Sequence, residues 1–195
     1  MSRTLADDDF ARAAKELNVE VAAIRAVAEV EAAGAGFLPD GRPSVLYEAH
    51  IFHKHTKGAH GAAVDRRGIK LSSLNWNRSL YGATGAAQHN RIEDAAKLNW
   101  GAAHKAASWG TFQILGENHK AAGHETIQAF VDAMNADAGA HLDALVAFIK
   151  SEKLDGALRA KNWACFARGY NGPAYAQNAY DKKMAAAYAR WKAKG

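Results

Sequence analysis

Two carboxylates, Glu29 and Glu31, close a stretch in which Val21, Ile24, Val27 and Ala28 recur at the spacing of one helix face. At about 100° per residue, Glu31 falls within about 20° of Ile24, whereas Glu29 points about 140° away. Only Glu31 therefore shares the buried stripe. Glu29 stands one turn above Arg25, and the two are expected to form a solvated ion pair worth a few tenths of a kcal/mol. Glu31 has no cation within reach along the chain, occupies the last helical turn, and is followed by Gly34 and Gly36, which allow a ligand to approach the backbone. Burial and the helix dipole both raise its pKa. A carboxylic acid kept protonated near neutral pH is what general-acid cleavage of a glycosidic bond requires. A buried contact fastening the helix end to the next segment is the structural alternative.

Nine histidines raise a second kind of chemistry, most of all at His50, His53 and His55. Their spacing does not match H-E-x-x-H, Lys54 places a cation among them, and the single cysteine cannot assist. The expectation is an enzyme without metal or other cofactor, with a zinc amidase or peptidase as the alternative. Cys165, between Trp163 and Phe166, is expected to be a small core residue, and with no second cysteine the chain forms no internal disulfide.

The elements that must position these residues are mostly helical. Alanine outnumbers Val, Ile and Thr together by more than two to one, a composition that favours helices over strands. Helical periodicity is expected over Asp7–Glu16, Val19–Ala33, Ile92–Ala107, Thr126–Asn135, Ala138–Lys153, Gly156–Arg168 and Pro173–Lys192. Between residues 37 and 91 the pattern loosens into Gly, Ser and Asn, with a turn at Pro39-Asp40-Gly41 and one short apolar segment, Val45–Phe52. The fold class expected is all-α dominated, with α+β possible: a helical body and a small irregular or β lobe around residues 37–91. No linker-like tract divides the 195 residues, so one domain, with no separate second domain, is expected. Asp7, Asp8 and Asp9 stand where a signal peptide would need apolar residues, and nowhere is there an apolar run of membrane-spanning length. The net charge of +5 attracts polyanions: nucleic acid, anionic lipid or acidic wall polymers.

Three blocks then carry a resemblance. The first runs from Glu31-Ala32-Ala33-Gly34-Ala35-Gly36-Phe37-Leu38-Pro39-Asp40-Gly41-Arg42-Pro43 to Leu46-Tyr47-Glu48-Ala49-His50-Ile51-Phe52. The others are Ala107-Ser108-Trp109-Gly110-Thr111-Phe112-Gln113-Ile114 and Ala167-Arg168-Gly169-Tyr170-Asn171-Gly172. Together they resemble the phage-type N-acetylmuramidases, peptidoglycan-cleaving endolysin domains of the lysozyme superfamily. The resemblance implies a lysozyme-like fold and a catalytic Glu31, followed here by Ala32 where the family usually has Ser. It makes Glu48 the candidate second carboxylate, because it lies in an apolar segment inside a matched block. It places Ser108, Gln113, Tyr170 and Asn171 along the sugar, Gln113 and Asn171 as amide donor–acceptor pairs and Tyr170 or Trp109 against an apolar sugar face. The implied reaction is hydrolysis of the bond from N-acetylmuramic acid to N-acetylglucosamine. A lytic transglycosylase, which needs the same acid, and a non-catalytic basic module binding wall or nucleic acid are the alternatives. The implied partner is the peptidoglycan glycan strand rather than nucleic acid, bound by a monomer, with peripheral attraction to the anionic envelope. The implied setting is the host cytoplasm, then the periplasmic wall once the inner membrane is permeabilised.

Overall fold

The computed structural model describes residues 2–32 and 34–194. The acidic run near the start is the first turn of α1 (Asp7–Leu17), where Asp9 accepts a hydrogen bond from the Ala6 backbone N–H at 2.9 Å, satisfying one donor at the positive end of the helix. Asn18, left-handed at φ +54°, ends α1 and turns the chain into α2 (Val21–Glu31). Ile24, Val27 and Ala28 of α2 are buried as the periodicity requires, whereas Val21, on the same face in the first turn, is exposed.

The irregular lobe begins with β1 (Val45–Tyr47), which runs directly into α3 (Ala49–His55). The apolar segment Val45–Phe52 is thus half strand and half helix. The expected helix Ile92–Ala107 is instead two: α4 (Ala86–Ala96) begins inside the loosely patterned third, and α5 (Trp100–Lys105) starts anew. The Asn99 side chain causes the break by accepting the Ala102 N–H, an N-cap inside what reads as continuous apolar period. Ala107 belongs to β2 (Ala107–Trp109), the central strand of an antiparallel sheet with β1 on one side and β3 (Ile114–Leu115) on the other.

Four further helices follow, α6 (Ile127–Ala136), α7 (Ala138–Ser151), α8 (Asp155–Arg159) and α9 (Trp163–Asn171). The expected helix Gly156–Arg168 is divided at Lys161, which is left-handed at φ +53°. Likewise Pro173 opens a 3-10 segment, and Ala179, at φ +52°, separates it from α10 (Tyr180–Lys194). Helix α7 is the spine: His141, Leu142, Ala144, Leu145, Val146 and Ile149 are all buried, within one continuous core that reaches from Phe10 to Met184. Helix α10 packs along α2 and α9, so the last helix braces the one that ends in Glu31. Cys165 is exposed, a correction to the core reading: it lies on the outer side of α9, while Phe166 and Ala167 turn inward.

Candidate active site

Glu31 is the last residue of α2, and its half-buried side chain enters a pocket of about 340 Å³ formed where that helix end meets the sheet, α7, α9 and the start of α10. Phe112, Ile114, Leu115, Phe148 and Tyr180 give the pocket apolar walls, and Gln113, Asn118, Tyr170 and Asn171 supply polar groups. Asn171, at the end of α9, donates from Nδ2 to Glu31 Oε1 at 2.8 Å. Among the described residues no Lys or Arg reaches Glu31. Burial raises its pKa above the ordinary carboxylate value, and the Asn171 hydrogen bond, which favours the charged form, opposes this in part. The carboxyl therefore holds its proton to higher pH than an exposed Glu.

Glu29 is exposed, as helical phase requires, but its partner is not Arg25. It accepts hydrogen bonds from Arg190 and, at 2.8 Å, from the Trp191 indole N–H, both on α10. Arg25 pairs with Asp7 and lies over the rings of Phe10 and Trp191. Docking of α10 onto α2 displaces the local pair with a long-range one.

Gln113 sits in the β2–β3 turn with a left-handed backbone, φ +49°, held by two bonds from its own amide: Nε2 donates to Gly110 O at 2.8 Å and to Ser44 O at 3.3 Å. Oε1 has no partner among the described residues and remains free to accept a hydrogen bond. Behind the turn, buried His141 accepts from the Thr111 N–H at 3.2 Å and pairs with its hydroxyl at 3.0 Å through Nδ1. The opposite nitrogen donates to Met134 O at 2.8 Å. Gly36 makes this approach possible: a Cβ there would meet Thr111 Oγ1 at 2.0 Å. Of the two glycines after Glu31, Gly36 thus serves packing against the turn, whereas a Cβ at Gly34 would meet nothing within 4 Å.

Tyr170 stacks on Phe166 with ring centroids 5.7 Å apart and meets Phe148 edge-on at 5.7 Å. Its ring is clamped by the core, so the group it offers the pocket is the hydroxyl. Burial and the nearby charge of Glu31 push that phenol far above its usual pKa. Gln113, Tyr170 and Asn171 therefore come together around Glu31, as their blocks imply.

Glu48 and Ser108 do not line this pocket. Ser108 is the middle residue of β2, its backbone paired with Leu46 and Leu115. Glu48 immediately precedes α3 and accepts from the Tyr81 hydroxyl at 3.0 Å on both carboxylate oxygens; Tyr81 in turn accepts the Trp76 indole N–H at 2.8 Å. His50 Nδ1 stands 3.4 Å from the same carboxylate. Burial raises the pKa of Glu48, with Tyr81 and His50 acting against it. Trp109 is a core residue, 3% exposed, with its N–H on the His104 carbonyl at 3.1 Å. His53 meets Ser72 and His55 meets Glu117, so the three histidines of the 50–55 run go to separate partners. Among the described residues no group of three or more His, Cys, Asp or Glu is placed to hold a metal. Sequence reasoning misses Asn118, Phe148 and Tyr180, which enter the pocket from a 3-10 turn, α7 and α10 and carry no local motif; Phe112, Ile114 and Leu115 sit in or beside the block that holds Gln113.

A carboxyl at a helix end whose pKa is raised by burial, walled by apolar side chains and faced by amide and phenol groups, on a helical body with a three-stranded sheet, is the arrangement expected of a lysozyme-like glycosidase. The sequence profile of the N-acetylmuramidases matches residues 20–192, and the chain belongs to that family, glycoside hydrolases acting on peptidoglycan. The crystal structure of the Burkholderia AP3 phage endolysin superposes with a TM-score of 0.88 at 44% identity, covering 97% of this chain and 72% of that one. A comparison with curated proteins finds no match.

Proposed function

We propose that the chain is an endolysin catalytic domain that hydrolyses the bond from N-acetylmuramic acid to N-acetylglucosamine, with Glu31 as general acid. The observation that carries this reading is the placement of Glu31: partly desolvated, without a cation, and fixed by Asn171 inside a pocket sized for part of a glycan. Phe112, Ile114 and Phe148 exclude water as the strand enters. Glu31 gives its proton to the glycosidic oxygen as the bond to the anomeric carbon breaks. Water adds to that carbon, and the proton it releases restores Glu31. Gln113 Oε1 and the Tyr170 hydroxyl match sugar hydroxyls and N-acetyl N–H groups in kind. Glu48 belongs to a separate network on the lobe, where it tethers the 76–81 segment, and Ser108 shapes the sheet through its backbone; neither is assigned the acid step.

The partner is the glycan strand, bound by a monomer. Of the basic residues on α10, Arg190 is tied to Glu29 and Lys192 to Glu20, which speaks against a continuous surface for nucleic acid. The remaining positive charge favours approach to the anionic envelope. Among the described residues no helix is long and apolar enough to cross a membrane, and the place of action we assign is the wall, reached from the host cytoplasm once its membrane is permeabilised. Mass spectrometry of fragments released from purified walls tests the reaction. Ends carrying the elements of water are expected; anhydro ends would assign a transglycosylase, and cut peptide bonds an amidase.

A further inference from the structure

A second pocket, of about 490 Å³, lies between α4, α5 and α6 and shares no lining residue with that of Glu31. Its floor is a ladder of rings. Trp100, 40% exposed, stacks on His104 at 4.1 Å, and His104 lies nearly parallel to Trp109 at 5.9 Å. Asn99, by capping α5, fixes where Trp100 stands.

Three uncharged side chains around the ladder each keep a free hydrogen-bond acceptor. His104 Nδ1 lies 2.8 Å from the Trp100 carbonyl and His89 Nε2 lies 2.8 Å from the Pro43 carbonyl. A carbonyl only accepts, so both nitrogens carry the proton, and each ring keeps its second nitrogen as an acceptor. Burial lowers the pKa of both rings, which stay neutral near pH 7. Asn135 spends its Nδ2 on Val131 O at 2.7 Å and keeps Oδ1. None of these three acceptors has a partner among the described residues. The charges at the rim are already neutralised: Arg42 by Asp40, Glu93 by Arg66, and Lys97 by Asp94. A pocket with an aromatic face, several neutral acceptors and no net field suits an uncharged ligand with an apolar face and many hydroxyls, and does not suit a polyanion.

We infer that this pocket is a second glycan-binding site, which takes N-acetylhexosamine units of the wall polymer over Trp100 and holds the enzyme to its insoluble substrate away from the reacting bond. The choice of wall glycan as occupant rests on the peptidoglycan reading above; the ring ladder and its acceptors are independent of it.

The test uses ¹⁵N-labelled Glu31→Gln protein titrated with N-acetylglucosamine tetrasaccharide. The indole signals of Trp100 and Trp109 are expected to move together and saturate, while those of Trp163 and Trp191 stay. Trp100→Ala should abolish the Trp109 shift but leave any shift of the Asn171 side-chain amide. It should also lower the fraction sedimenting with purified walls by several-fold to about tenfold, the scale of one aromatic stacking contact, with turnover of soluble wall fragments unchanged. Trp100→Phe should restore sedimentation, and a thermal melt checks that both variants fold. The second site is overturned if the Asn171 amide responds while both indoles are silent, or if all are silent while the wild type still releases reducing ends from walls. If the wild type releases none, the muramidase reading fails, and the indole titration alone decides whether the pocket binds sugar.

Discussion

Replacing Gly36 by Ala tests how the segment after Glu31 is locked to the turn that carries Gln113. Gly36 is not among the residues with positive φ, so its backbone accepts Ala and the only obstacle is contact. That contact is severe: the new Cβ lies 2.0 Å from Thr111 Oγ1, 3.1 Å from Thr111 Cβ and 3.3 Å from His141 Nδ1. The hydroxyl cannot swing away without leaving His141, and the Thr111 N–H is anchored to the same nitrogen. Overpacking of this kind costs about 1–3 kcal/mol. In a chain of this size that lowers Tm by about 2–4 °C per kcal/mol, hence by about 4–8 °C at the middle of the range. Thr111→Ala alone removes one hydrogen bond and costs about 1 kcal/mol. The double variant also removes the atom at 2.0 Å, so it should be about as stable as Thr111→Ala rather than carrying both losses. The assay is a double-mutant cycle by thermal and urea unfolding. An unchanged Tm for Gly36→Ala, or additive losses in the double variant, would refute the close approach.

Three other outcomes are expected. Asn171→Leu removes the Asn171 hydrogen bond, which favours charged Glu31, so the alkaline limb of the pH–rate profile, where the acid loses its proton, should move to higher pH as the rate falls; a limb that stays or moves down contradicts the pairing. His141, with its folded pKa lowered by burial, binds its proton more readily when unfolded. Its contribution to stability is therefore complete above about pH 6.5 and lost as pH falls below that, and urea midpoints of His141→Gln, measured from pH 8 to 5, should decline less than those of the wild type. Lysis of whole walls should slow as salt rises well above 0.15 M, where charges beyond about 8 Å are screened, and a flat profile would exclude capture by the basic surface.

Some of this architecture is legible in the chain itself. The phase of Ile24, Val27 and Ala28 places Glu31 inward, and a packed helix leaves little freedom to do otherwise. The three family blocks bring Gln113, Tyr170 and Asn171 to the same pocket. What escapes the sequence is mostly long-range. The local pairing of Arg25 with Glu29 loses to Arg190 and Trp191 because an entire helix docks there. Glu48 reads as a second cleft carboxylate, but the turn from β1 into α3 delivers it to Tyr81, a partner 33 residues away. The break at Asn99 carries its own signal, an N-cap residue, masked by alanines that continue the apolar period across it. Strands of three and two residues are too short for alternation to register.

The central claim is that one acid, Glu31, drives cleavage, and comparing kcat for Glu31→Gln and Glu29→Gln on purified peptidoglycan tests it most directly. Glutamine keeps the size of Glu31 and can still pair with Asn171 but has no proton to give. The account predicts a loss of about 10²–10⁴-fold at Glu31, the range for general acid catalysis, with Tm held or slightly raised. Glu29→Gln weakens an exposed contact with α10 and should keep nearly full activity. Near-normal turnover by folded Glu31→Gln, or a large loss at Glu29 instead, would contradict the account.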